Sequence, residues 1–139
     1  MTILLGVIGA ALILIVLGDA FETIVLPRRV TRPISLARLF YQTTWLAWSG
    51  AVRSIFSSKR QETFLSWYGP LSLLLLLILW ATCLIIGFAL VHWASGSIIK
   101  SQYGTVNFGT YLYLSGTTFF TLGMGDVVPR TTFGRGLVA

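Results

Sequence analysis

The chain has 139 residues, 55% of them hydrophobic and only 10% charged. Soluble domains carry about 25% charged residues and disordered chains are poor in apolar residues, so both classes are excluded. Ten Lys and Arg against four Asp and Glu give a net charge of +6, but few of these cations are free to form the broad basic face that a nucleic acid needs.

The uncharged run from Thr2 to Gly18 reads as a retained membrane helix. No Lys or Arg precedes it and Gly18-Asp19-Ala20 is a poor cleavage site, which argues against a secretory signal. Apolar character resumes at Ile24, Val25 and Leu26, and Pro27 ends the helix. From Ile3 to Leu26 the helix is about 36 Å long, enough to cross a core of about 30 Å. Asp19 and Glu22 are three apart and share one face. Acids within spans are functional candidates by default. These two fall near Arg28 and Arg29, which favours a place in the inner interface.

Seven of the ten cations follow in a short stretch: Arg28, Arg29, Arg32, Arg38, Arg53, Lys59 and Arg60. The excess of positive charge makes residues 28–62 cytoplasmic and the amino terminus external. Within the stretch, Ile34 to Phe56 is expected to be helical. Ser35, Arg38, Gln42, Ser49 and Arg53 recur on one stripe, and most other positions are apolar. The interval between Arg38 and Arg53 is too short to span, so the helix is expected to lie in the inner interface with its cations at anionic headgroups.

No Asp, Glu, Lys or Arg occurs between Glu62 and Lys100. Gly69 to Ala94 as a helix is about 39 Å long and spans from inside to outside. Trp67 and Tyr68 at one end and Trp93 at the other suit the headgroup regions, and Pro70 suits a first turn. Leu73 to Leu77 is expected to face lipid, Cys83 to pack, and His92 to sit at the outer interface beside Trp93. Ser95 to Gly109 reads as a polar outer loop.

Next comes an apolar stretch, Thr110 to Phe120, too short to span but suited to a re-entrant helix whose packing uses Phe119 and Phe120. It runs into Thr121-Leu122-Gly123-Met124-Gly125-Asp126. Irregular backbone at membrane depth is tolerated only where it lines a cavity or is buried in protein. Gly123 and Gly125 accept positive φ. Alternating handedness points successive carbonyls to one side, and such a row, multiplied by symmetry, replaces the water shell of a monovalent cation. The Thr121 hydroxyl adds an oxygen at the inner end, and the carboxyl end of the short helix carries partial negative charge. One cysteine excludes an internal disulfide, and one His with four acids leaves little for zinc binding or acid–base catalysis, so an enzyme is not expected.

Thr121-Leu122-Gly123-Met124-Gly125-Asp126 resembles the Thr-x-Gly-Tyr/Phe-Gly-Asp filter of potassium channels. From roughly Trp67 to Ala139 the order of helix, outer loop, short helix and filter is similar to the pore domain of two-helix bacterial potassium channels. The resemblance implies a homotetramer in the lipid bilayer with the filter on the four-fold axis, potassium as the permeant ion and no cofactor. It implies carbonyls from Thr121, Leu122, Gly123 and Met124, an outer mouth closed by Gly125, and support from Asp126, Tyr113 and Thr118. Met124 stands where the family usually has an aromatic, and Tyr113-Leu114 where many members have two Trp, so a looser hydrogen-bonded cuff is expected. Thirteen residues follow the filter, whereas the family's inner helix takes about 20 apolar ones. The chain as written is therefore expected to be a fragment, with Thr132 to Ala139 the start of that helix.

The expected fold is an all-α membrane protein with two transmembrane helices, an interfacial amphipathic helix, a re-entrant pore helix and a selectivity-filter loop, divided at 1–27, 28–66 and 67–139. The expected function is the pore-forming subunit of a potassium, or weakly selective monovalent cation, channel in the cell membrane. The alternative is a non-conducting membrane scaffold or accessory subunit.

Overall fold

The computed structural model describes residues 2–24, 36–55, 58–96, 99–101 and 106–138. In chain order its elements are α1 (Thr2–Ile24), α2 (Leu36–Ile55), α3 (Ser58–Ser66), α4 (Tyr68–Ala94), β1 (Ile99–Ser101), α5 (Phe108–Phe119), β2 (Val127–Pro129) and α6 (Thr132–Val138). The protein is predominantly helical, and α1 and the stretch Glu62–Ala94 are long and apolar enough to cross a membrane. Arg28, Arg29 and Arg32, together with Ile34, Ser35 and Phe56, lie outside the described residues. Two compact units are formed, one of residues 17–80 and one of residues 1–16 with 81–139.

In the unit of residues 17–80, a carboxylate organises three helices. A helix start leaves backbone N–H groups without intrahelical partners. At the start of α2, the Ala37 N–H donates to Asp19 Oδ2 on α1 at 2.9 Å. The Trp80 indole N–H on α4 donates to the same oxygen at 3.0 Å. Asp19 is only 6% exposed. Asp19 thus caps a neighbouring helix from a buried position, where the positive end of the α2 dipole favours it. Glu22 is half-buried. α3 packs against α2, with the Trp48 indole N–H donating to the Phe64 carbonyl at 3.1 Å. Tyr68, at the start of α4, bonds to Thr44 Oγ1 at 2.8 Å and donates to the Tyr41 carbonyl at 3.1 Å. Its ring meets Trp45 edge-on at 5.0 Å. Along the leucine run, Leu73, Leu74, Leu75 and Leu77 are exposed as expected, whereas Leu76 turns inward and is buried.

In the unit of residues 1–16 and 81–139, α1 and α4 approach through small residues. A Cβ added to Gly9 would lie 2.8 Å from the Gly87 carbonyl oxygen, and one added to Gly6 would lie 3.0 Å from the Ala94 Cβ. Lipid tails are as apolar as leucine, so membrane helices associate mainly by such close backbone packing. The core gathers Ala89 of α4, Tyr111 and Leu114 of α5, and Val127 of β2, with Phe108 and Val138 against it. Phe108 also lies against Trp93, ring centroids 4.9 Å apart.

One expectation is corrected here. The outer segment Ser95 to Gly109 is not wholly loop, because Ile99–Ser101 forms a strand antiparallel to Val127–Pro129, with Lys100 opposite Val128. A two-stranded ladder therefore joins an otherwise helical fold. His92, beside Trp93 near the end of α4, is 1% exposed and covered by protein. Helical structure resumes at α6, where Thr131 Oγ1 caps the first turn by accepting the Gly134 N–H at 3.2 Å.

Candidate functional site

α5 and the turn that follows it carry the residues singled out by sequence. The helix starts with a reciprocal cap. Asn107 is extended (φ −125°), its side chain accepts the Thr110 N–H at 3.1 Å, and the Asn107 N–H donates to Thr110 Oγ1 at 3.3 Å. Two amides at the start of the helix are satisfied this way.

The helix ends in a paired reversal. The Thr121 N–H donates to the Thr118 carbonyl at 2.9 Å and the Leu122 N–H to the Thr117 carbonyl at 2.8 Å. This is the pattern in which glycine usually supplies the left-handed residue. Here that residue is Thr121, at φ 56°. A β-branched side chain in this region is an outlier and stores strain of about 1–2 kcal/mol. Glycines in the same region follow at every second position, Gly123 at φ 46° and Gly125 at φ 73°. A Cβ at either glycine would meet nothing within 4 Å. The demand for glycine is therefore set by backbone dihedral and not by space.

The direction of the carbonyls follows from these bonds. A trans peptide holds the N–H of one residue antiparallel to the carbonyl of the residue before it. No cis peptide occurs among the described residues. The amides of Thr121, Leu122 and, at 3.5 Å, Gly123 are drawn back to Thr117 and Thr118. The carbonyls of Phe120, Thr121 and Leu122 consequently point away from those helix oxygens. The Thr121 hydroxyl donates to the Phe120 carbonyl at 2.7 Å, so its oxygen stays beside the same backbone. In a single protomer Leu122 is 58% and Met124 63% exposed.

Of the residues expected to support this segment, Tyr113 and Asp126 are brought together. The Tyr113 hydroxyl lies 3.0 Å from Asp126 Oδ2 and 3.2 Å from Met124 Sδ. Its one proton is shared between a carboxylate and a weak sulfur acceptor, and the carboxylate is the stronger partner. The Tyr113 hydroxyl thus ties α5 to the turn at Met124 and Asp126. Thr118 contributes its carbonyl and is among the residues lining a cavity between α4, α5 and α6. Sequence reasoning missed Thr117, whose carbonyl receives two amides, and Asn107. Asn107 was findable, since a capping residue followed three positions later by a polar partner is a helix-start signal. Among the described residues no group of three or more His, Cys, Asp or Glu could hold a metal ion. Oxygens at this segment come from the backbone carbonyls, the Thr121 hydroxyl and the Asp126 carboxylate.

Residues 72–139, about half of the chain, match the family described as ion channel, which supports the resemblance to a potassium-channel pore domain. No curated protein and no solved structure matches the chain. The family match points to passage of ions across a membrane, not to catalysis.

Proposed function

We propose that α5 and residues 121–126 are the pore helix and selectivity filter of a homotetrameric channel for potassium, or with weak selectivity for monovalent cations generally. Four copies about an axis bring the outward carbonyls of Thr121 and Leu122, followed along the chain by those of Gly123 and Met124, around a shared path. Each carbonyl ring replaces part of an ion's hydration shell, and close spacing of the rings lets one ion displace the next. Gly125 forms the outer mouth, and Asp126 with Tyr113 holds it to the pore helix. Residues 28–62 face the cytoplasm of a cell membrane, the amino terminus is external, and α4 runs outward.

The observation that carries the reading is the alternation of positive φ at Thr121, Gly123 and Gly125, together with amides held back by Thr117 and Thr118. The ion-channel match over residues 72–139 gives it a context that the short motif lacks alone. Met is flexible and specifies geometry poorly, which supports weak discrimination between potassium and sodium.

The test replaces the pore helix and filter of a conducting two-helix potassium channel with residues 108–126 of this chain. Potassium efflux from liposomes is then measured with and without barium, a divalent mimic of potassium in carbonyl cages. Barium-sensitive efflux is expected, with a reversal potential shifted toward that of a weakly selective pore. A hybrid that assembles as a tetramer yet passes no potassium overturns the proposal and leaves the non-conducting accessory subunit.

A further inference from the structure

Four buried polar side chains occur among the described residues: Asp19, Ser72, His92 and Ser115. Two of them are satisfied. Asp19 accepts from Ala37 and Trp80, and Ser72 donates to the Gly69 carbonyl at 2.8 Å. The other two are not. His92 Nδ1 and Ser115 Oγ find no hydrogen-bond partner among the described residues, although His92 is 1% and Ser115 6% exposed.

Both residues line one cavity of about 150 Å³ between α4, α5 and α6. The rest of its wall is mainly apolar, including Ile85, Phe88, Phe119 and Leu137. Burying an imidazole nitrogen and a hydroxyl without partners is costly, so native sites of this kind hold something polar. One ordered water bridging the two polar atoms leaves the apolar remainder of the space unfilled, and a space of about 150 Å³ admits a benzene-sized ring. The two polar atoms are enough for one hydroxyl.

We propose that this cavity binds a small neutral molecule of phenol size, with one hydroxyl on an apolar body. The neutral imidazole protonated on Nε2 presents Nδ1 as an acceptor. The ligand's O–H donates to Nδ1, and its oxygen accepts the Ser115 hydroxyl proton. The apolar body rests on Ile85, Phe88, Phe119 and Leu137. Thr118 lines the same cavity, and its carbonyl holds the Thr121 amide. An occupant therefore braces the last turn of α5, from which residues 121–123 hang. The site is read by binding, without current, so it stands or falls apart from the channel proposal.

The experiment uses fluorine NMR of 4-fluorophenol with the protein in lipid nanodiscs. A saturable bound signal is expected, displaced by phenol. Fluorobenzene, which lacks the hydroxyl and so loses both hydrogen bonds, is expected to bind about a hundredfold more weakly, and 4-fluorophenol is expected to bind Ser115→Ala about tenfold more weakly through one lost bond. Ile85→Trp fills the space, and with helical circular dichroism unchanged it is expected to abolish the bound signal. Equal binding of fluorobenzene, no effect of Ser115→Ala, or non-saturable partitioning indistinguishable from empty nanodiscs overturns the proposal.

Discussion

Asp19 and Asp126 are two of the four acids in the chain, and they do opposite things with similar bonds. Asp19 is buried and receives N–H groups from residues 18 and 61 positions away. Asp126 is half-buried and bonds to a tyrosine 13 positions away on the preceding helix. The first carboxylate joins three helices that the sequence separates widely, so removing it leaves buried donors with nothing to face. The second steadies one end of a local turn already shaped by backbone dihedrals and helix carbonyls. Burial, and not bond length, separates a structural clamp from a tether, because an orphaned buried donor retains its full desolvation penalty.

The sharpest way to break this contrast is Asp19→Ala. It leaves the Ala37 amide and the Trp80 indole N–H without their acceptor, and a loss of about 3 kcal/mol is expected from two charge-assisted bonds. Reversible unfolding in mixed detergent micelles measures it. A loss below about 1 kcal/mol would reduce Asp19 to the rank of Asp126.

An intermediate effect is expected at the turn itself. Gly123→Ala introduces a Cβ at φ 46° with open space around it, so the strain of about 1–2 kcal/mol is purely conformational. In the barium-sensitive liposome assay, efflux is expected to fall more than tenfold with helicity unchanged. Unaltered efflux would mean that the left-handed conformation there is dispensable.

Tyr113→Phe sharpens the other side of the comparison with the smallest change. It removes only the hydroxyl that holds Asp126, and the expected cost is about 0.5–1.5 kcal/mol because neither group is fully buried. A thermal-unfolding shift as large as that of Asp19→Ala would show that the tether carries more than its exposure implies.

The two long helices were legible because lipid imposes one rule, an uncharged run of spanning length, and both Thr2–Ile24 and the stretch ending at Ala94 obey it. The turn was legible because glycine at alternate positions is a local statement about φ, and Gly123 and Gly125 both lie in the left-handed region. What escaped was non-local. Nothing in Ser95 to Gly109 announces that Ile99–Ser101 pairs with Val127–Pro129, since three-residue strands carry almost no periodicity. The role of Asp19 depends on where α2 begins, and that of His92 on which helix covers it. α3 went unread because its short, charged sequence lacks a clear apolar stripe. Thr121 shows the limit from the other direction: a threonine at φ 56° is what a local reading would place last.

The small ladder of β1 and β2 has a mechanical corollary. Because Ser101 lies opposite Val127 and Ile99 opposite Pro129, the chain enters and leaves the short helix and its glycine turn through a single waist. A pull arriving from the end of α4 reaches both sides of that waist together. The enclosed piece is then carried along as one parcel instead of being pried open, which shields a delicate backbone from bending in its surroundings.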